Sequence, residues 1–232
     1  MGVPRVDRRV AGVTIRGAMD RATLSTIGHQ GLPFSSPVSV ADLDALLAAA
    51  DLPHRPHVLD LGCGDGGMLA YVVARLDGSG VGVDHSGVAL DRARARAGRL
   101  QFVEGDLTRP PPGAFDLTLL VGALPESGFA AVTIPSPRLL LGELVRVGPA
   151  PAIPGLPDVA RLDADVADAG WSPVHAPLLG EEALRAYERT WISNVRAYTD
   201  AHPGEDLSGV LAAHEALLEA GGLGFRLGVW VR

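Results

Sequence analysis

Between residues 56 and 147, short apolar runs alternate with helical stretches, and this rhythm constrains the fold more than any other feature of the chain. Residues 58–61, 80–83, 100–103, 116–121 and 139–147 read as strands, and 68–76 and 88–97 carry helical spacing between the first three. Runs without polar alternation belong to strands buried on both faces, and strands separated by helices return parallel to one another. The expected class is α/β: a doubly wound, Rossmann-like, mostly parallel seven-stranded sheet with helices on both faces.

The flanks follow other patterns. Residues 5–38 have weak periodicity, interrupted by Gly31, Pro33 and Pro37, and read as an irregular arm with room for one short helix. Ser39-Val-Ala-Asp42 is a capping box that opens a helix on Leu43, Leu46 and Leu47, closed by Asp51 and Pro53. After a strand at 171–175, helical stretches at 181–201 and 207–220 form an insertion before a last strand at 225–231. Gly221 and Gly222 end the second of these helices. Proline-rich turns at 110–112 and 149–154 read as loops within a domain, not linkers. The expected organisation is one domain over 1–232: an N-terminal arm (1–38), a cofactor-binding core (39–150) and a C-terminal half with acceptor-side helices (151–232).

Composition removes several functions. All 20 Lys+Arg residues are arginine. Without lysine there is no Schiff base to pyridoxal phosphate, no P-loop lysine and no Tyr-x-x-x-Lys dehydrogenase dyad. A net charge of −7 with scattered basic residues repels a phosphate backbone, so no nucleic-acid partner is expected. No apolar run reaches membrane-spanning length and no signal peptide is visible, so no membrane partner is expected. A lone Cys63 fits a reducing cytoplasm. His175, His202 and His214 do not fall at ligand spacing with acids, so no metal site is expected. Abundant Ala, Arg, Gly and Pro suggest a GC-rich, bacterial genome.

The residues 58–67, Val-Leu-Asp-Leu-Gly-Cys-Gly-Asp-Gly-Gly, form a strand that turns through glycines into a helix. Glycines let a ligand lie against bare backbone while the helix N-terminus supplies oriented N–H groups. Gly62, Gly64 and Gly67 also satisfy the dinucleotide G-x-G-x-x-G pattern, so the loop alone leaves NAD and S-adenosylmethionine both open. The acids discriminate. Asp84 closes the second strand, where a carboxylate can accept bonds from ribose hydroxyls in either ligand. Asp106 follows the third strand, where it can take an adenine amino group beside the backbone of Leu107. Asp60, two residues before the first glycine, completes the set.

D-x-G-x-G-x-G at 60–66, G-V-D at 82–84 and E-G-D at 104–106 resemble, in order and spacing, the motifs of class I S-adenosylmethionine-dependent methyltransferases. Phe115-Asp116-Leu117 resembles that family's entry to the fourth strand. The resemblance implies S-adenosyl-L-methionine as cofactor, S-adenosyl-L-homocysteine as product, and methyl transfer as the activity. It places Gly62, Cys63 and Gly64 along the methionine part, Asp84 on the ribose, and Gly122 and Ala123 near the methyl group. His85 stands where the family stacks an apolar side chain on adenine. It is tight over about 56–123. The chain departs where the family often has a Pro-Gly-Gly turn before the fifth strand: Pro135-Ser136-Pro137 stands there and the preceding helix looks shortened. The arm from Ile27-Gly28-His29-Gln30 to Ser39, Leu140-Leu141-Gly142-Glu143, and Gly224-Phe225 resemble bacterial small-molecule methyltransferases. The implied acceptor is thus a metabolite or natural product.

Methyl transfer needs a general base only if the acceptor must lose a proton early. Glu143, expected at the carboxyl end of the fifth strand, and His29 in the arm are the catalytic candidates. Base amine methylation is disfavoured, because Val121-Gly122-Ala123-Leu124-Pro125-Glu126 replaces the Asn/Asp-Pro-Pro-aromatic motif that holds a flipped base. Tyr187, Trp191, Val195 and Tyr198 share one helix face. They either pack as core or roof the cleft, and Tyr187 and Trp191 are the acceptor-binding candidates. A nicotinamide oxidoreductase and a cofactor-binding protein without transfer are the competing readings.

Overall fold

The computed structural model describes residues 19–96, 98–148 and 155–232. Eight strands form one sheet: β1 (His57–Leu61), β2 (Ser79–Asp84), β3 (Leu100–Glu104), β4 (Leu117–Val121), β5 (Arg138–Arg146), β6 (Ser172–His175), β7 (Leu178–Leu179) and β8 (Leu223–Val231). Their order is β3-β2-β1-β4-β5-β8-β6, with β7 also paired to β8. The pairings among β1 to β5 are parallel. β8 runs antiparallel to β5 over its whole length, and β6 and β7 follow one another along its other edge. The sheet is therefore seven positions wide, as expected, with an eighth strand of two residues too short to carry a period.

The central strands are buried on both faces, and Leu59, Leu61, Leu117, Leu119 and Leu120 are inaccessible to solvent. Each leucine so buried contributes about 1.5–3 kcal/mol. One face packs against α2 (Val40–Ala49) and α3 (Gly67–Arg75), the other against α5 (Val159–Asp168). The capping box of α2 forms as expected: the Asp42 N–H donates to Ser39 Oγ at 3.1 Å and the Ser39 N–H to Asp42 Oδ2 at 3.0 Å. α4 (Gly87–Arg94) starts on Ser86, whose hydroxyl accepts from the Ala89 N–H.

α5 carries no helical forecast, because the preceding proline-rich stretch masks its start. Asp158 caps it through the Arg161 N–H at 2.8 Å, and only Leu162 and Val166 are buried. The arm does hold one short helix, α1 (Arg21–Gly28), capped by Asp20. It lies against α6 (Glu181–Ala201), which packs on α7 (Ser208–Ala220). The expected loop at 149–154 and the arm before residue 19 lie outside the described residues.

β1 is flanked by β2 on one side and β4 on the other, and the chain leaves it in opposite directions. Such a reversal opens a crevice at the carboxyl ends of the strands. Between β4 and β5 the crossover helix is reduced to a single tight turn, Phe129–Ala131, as the shortened sequence predicts.

Candidate functional site

A cleft of about 1610 Å³ opens at those strand ends. Its floor is the turn from β1 into α3. Gly62 and Gly66 hold positive φ angles of +81° and +73°, where a side chain is strained. A Cβ on Gly62 would overlap Ala123, and one on Gly66 would overlap the Phe102 ring. The N–H groups of Gly62 and Cys63 both donate to the Val83 carbonyl, at 2.8 and 3.0 Å, and so bind the loop to β2.

Asp84 ends β2, is 8% exposed, and is held from both sides. Its Oδ2 accepts from the Gly64 N–H at 2.8 Å and its Oδ1 from the Ser86 N–H at 2.9 Å. The carboxylate is thus fixed before any ligand arrives, with lone pairs left over for hydroxyl donors. Asp60 lies deeper. Burial, reinforced by the charges of Asp84 and Asp65, pushes its carboxyl up to about 8. Such a group retains a proton near neutrality unless a cation comes to it. Cys63 is buried beside these acids, and its thiol is pushed far above the ordinary range, so it is a neutral wall and not a nucleophile.

At the rim, Asp106 is exposed, and its Oδ1 accepts from the Thr108 N–H at 2.9 Å and the Thr108 hydroxyl at 2.8 Å. Leu107 beside it is half-buried. His85 has a largely exposed ring, with Nδ1 3.5 Å from Asp84 Oδ1. Gly122, with φ +64°, leaves β4 by donating to the Gly142 carbonyl at 2.6 Å. Every cofactor candidate named from sequence lines this one cleft.

Glu143 and His29 line it as well. Glu143 stands inside β5, not at its end, and is 8% exposed. Its Oε2 accepts from the Leu124 N–H at 3.1 Å and its Oε1 from the Leu144 N–H at 3.0 Å, so it braces the loop leaving β4. His29 ends α1. Its Nδ1 is 2.6 Å from the Ser25 carbonyl oxygen and its Nε2 2.6 Å from the Tyr187 hydroxyl. A carbonyl can only accept, so Nδ1 carries a proton toward Ser25, and in the neutral tautomer Nε2 accepts from the Tyr187 hydroxyl.

The stripe on α6 splits. Tyr187 meets the cleft wall through His29. Trp191 does not roof the cleft. It is 5% exposed in a small core with Leu24, Ile27, Val195 and Leu207. His214 stacks on its ring at 3.7 Å, and a Cβ on Gly28 would overlap its indole. The helix face is apolar because α1 and α7 cover it. Nothing in the local spacing of α6 distinguishes that from a ligand.

Some site residues escaped the sequence reading. Arg96 clamps the glycine loop through the Asp65 carbonyl and carboxylate, both at 2.6 Å. Ser25, Ser35 and Ser36 line the arm side of the cleft, and Arg161 of α5 the far side. None belongs to a periodic pattern. Among the described residues no group of three or more His, Cys, Asp or Glu could hold a metal ion. None of their helices is long and apolar enough to cross a membrane.

Residues 58–147 match the family model described as a methyltransferase domain. Over 71 residues the chain is 39% identical to the trans-aconitate 2-methyltransferase of Paracidovorax citrulli, covering 29% of this chain and 27% of that protein. The chain thus aligns with about a quarter of that relative's length. Its fold is similar to that of an S-adenosylmethionine-dependent methyltransferase from Thiobacillus denitrificans, solved with S-adenosyl-L-homocysteine. The TM-score is 0.74 at 23% identity, covering 92% of this chain and 100% of that one. The corresponding Geobacter sulfurreducens structure, also with S-adenosyl-L-homocysteine, gives 0.74 at 23% identity, covering 90% and 98%. The matched segment, residues 58–147, spans the glycine loop, Asp84, Asp106 and Glu143, so the similarity to a methyltransferase domain falls on the cleft itself.

Proposed function

We propose that this chain transfers a methyl group from S-adenosylmethionine to a small-molecule acceptor by in-line displacement. The observation that carries the reading is the convergence of Asp60, the glycine loop, Asp84 and Asp106 on one cleft that continues to His29 and Glu143. The donor set fits the cofactor. Asp84 is preset for ribose hydroxyls, and the bare backbone at Gly64 borders open space that a Cβ would enter. Asp60, buried and pushed up to about 8, suits an ammonium group. Gly62, Cys63 and Gly64 would line the methionine part, Asp106 and Leu107 the adenine, His85 its exposed edge, and Gly122 the methyl end. Bound there, S-adenosylmethionine supplies a methyl group on a positively charged sulfur that leaves as a neutral thioether.

The protein's own work is alignment and exclusion of water. Ligand pockets commonly enclose about 300–1,000 Å³, and a cleft of about 1610 Å³ has space for an acceptor beside the cofactor. Glu143 holds the Leu124 backbone against the cleft, and His29 lines its arm side, where breaking the Tyr187 bond would free Nε2 to take a proton from an acceptor. Besides Asp60, seven acidic side chains and two arginines line the cleft, which favours a neutral or cationic acceptor and disfavours nucleic acid.

Calorimetry with S-adenosyl-L-homocysteine and with NADH tests the cofactor. Binding of the first alone is expected, followed by transfer of a tritiated methyl group to members of an amine, phenol and carboxylate panel. Tight NADH binding without S-adenosyl-L-homocysteine binding would overturn the proposal in favour of an oxidoreductase.

A further inference from the structure

Ser36 is 5% exposed, yet its hydroxyl has no hydrogen-bond partner among the described residues. A buried hydroxyl without a partner is costly, and native folds seldom keep one without use. The residue lines the same cleft as Gly64 and Met68. Neighbouring contacts locate it within that cleft. Phe34 meets Tyr71 of α3 edge-on, with ring centroids 5.5 Å apart. Met68 lies one turn before Tyr71 on the same helix face. The arm therefore crosses the first turns of α3, the helix that receives the glycine loop.

α3 begins behind Gly66, which offers no capping side chain. Asp65 Oδ1 accepts from the Gly67 N–H at 3.1 Å, and the rest of the first turn adds positive potential without a side-chain cap. Two unlike environments thus line the same cleft. Asp60 suits a cation, whereas the Ser36 hydroxyl and the start of α3 suit an anion. A free amino acid moiety carries both charges on adjacent groups.

We infer that Ser36 donates its hydroxyl to the carboxylate at the amino-acid end of S-adenosylmethionine, so the arm supplies a cofactor contact from outside residues 58–147. The inference rests on the cofactor proposed above. It makes Ser36 a binding residue that couples arm placement to cofactor occupancy, since closing the hydroxyl's hydrogen bond requires both.

The test compares Ser36→Ala with the parent protein by calorimetry, using two probes. S-adenosyl-L-homocysteine keeps the amino-acid end, and 5′-methylthioadenosine lacks it. The variant is expected to bind the first about 10-fold more weakly, the loss of one charge-assisted hydrogen bond, and the second as the parent does. The ligand-free variant is expected to melt no lower than the parent, since it loses a hydroxyl without a partner among the described residues. Unchanged affinity for S-adenosyl-L-homocysteine overturns the inference. Equal weakening of both probes, or a clear drop in melting temperature, overturns it in favour of a structural role. If the parent binds neither probe, the cofactor proposal itself fails and this inference falls with it.

Discussion

Replacing Asp60 with asparagine should stabilise the ligand-free protein in alkaline solution while damaging cofactor binding. In the fold the carboxyl is pushed from 3.8 up to about 8 by burial, with the Asp84 and Asp65 charges adding to it. Between those two values the folded chain holds a proton that the unfolded chain has released, so stability falls as pH rises from about 4 to about 8. Above that range the loss is complete. The interval of about four units corresponds to about 6 kcal/mol at about 1.36 kcal/mol per unit. Water entering the open cleft reduces what is measured, so about 2–5 kcal/mol is the expected span. Asparagine keeps the shape and cannot ionise. The two proteins should therefore unfold at similar denaturant concentrations at pH 4.5, and the variant should be the more stable at pH 9.

The same residue makes cofactor binding proton-linked. An ammonium arriving at Asp60 favours the carboxylate, so binding at pH 7 should release a proton, seen as a calorimetric enthalpy that depends on the buffer. Affinity of the parent protein for S-adenosyl-L-homocysteine should rise toward pH 8, and Asp60→Asn should abolish both the rise and the proton release. Urea titrations at pH 4.5, 7 and 9 give the stability difference directly. A difference independent of pH would refute the reasoning, because it would mean that Asp60 is ionised in the fold throughout.

Asp84→Ala should weaken S-adenosyl-L-homocysteine by about 1.5–3 kcal/mol, the scale of lost charge-assisted hydrogen bonds, whereas unchanged calorimetric affinity would remove Asp84 from the site. Trp191→Ala should cost about 3–5 kcal/mol of stability, as for an aromatic residue cut from a core, with affinity for S-adenosyl-L-homocysteine preserved in the fraction that stays folded. A variant with parental stability to urea would show that Trp191 is not the packing centre of α1, α6 and α7.

The strands were legible because each is a local event. β1 and β4 are short, largely apolar segments of strand length, and the glycines after β1 mark the turn themselves. Asp84 and Asp106 were readable for a related reason: a parallel sheet places the ends of its strands at one edge, so the last residue of β2 and a residue two past the end of β3 reach the same cleft. The arm follows no such rule. His29 depends on Ser25 four residues away and on Tyr187, 158 residues away, and only the second contact explains why its Nε2 faces a hydroxyl. Ser36 was invisible for a stronger reason, since its significance is a missing partner, which no sequence records.

The α6 stripe shows where periodicity stops being informative. Tyr187, Trp191 and Val195 share a face, and an apolar face must be covered, but its cover could be sheet, ligand or another helix. What decides is the arm: Asn194 Nδ2 donates to the Gly28 and Gln30 carbonyls at 2.9 and 2.8 Å, fastening the end of α1 along α6. That fastening buries Trp191 and, one turn earlier, sets Tyr187 against His29. One helix face therefore anchors the arm and orients a cleft residue. With only a short turn between β4 and β5, the loop around Pro125 and the arm carrying His29 and Ser36 both line the cleft. The cofactor candidates read from the sequence fall at or just beyond strand ends, whereas the arm's contributions, His29 and Ser36, fall in a segment with no regular spacing. This difference in local order is why the first group was readable from the chain and the second was not.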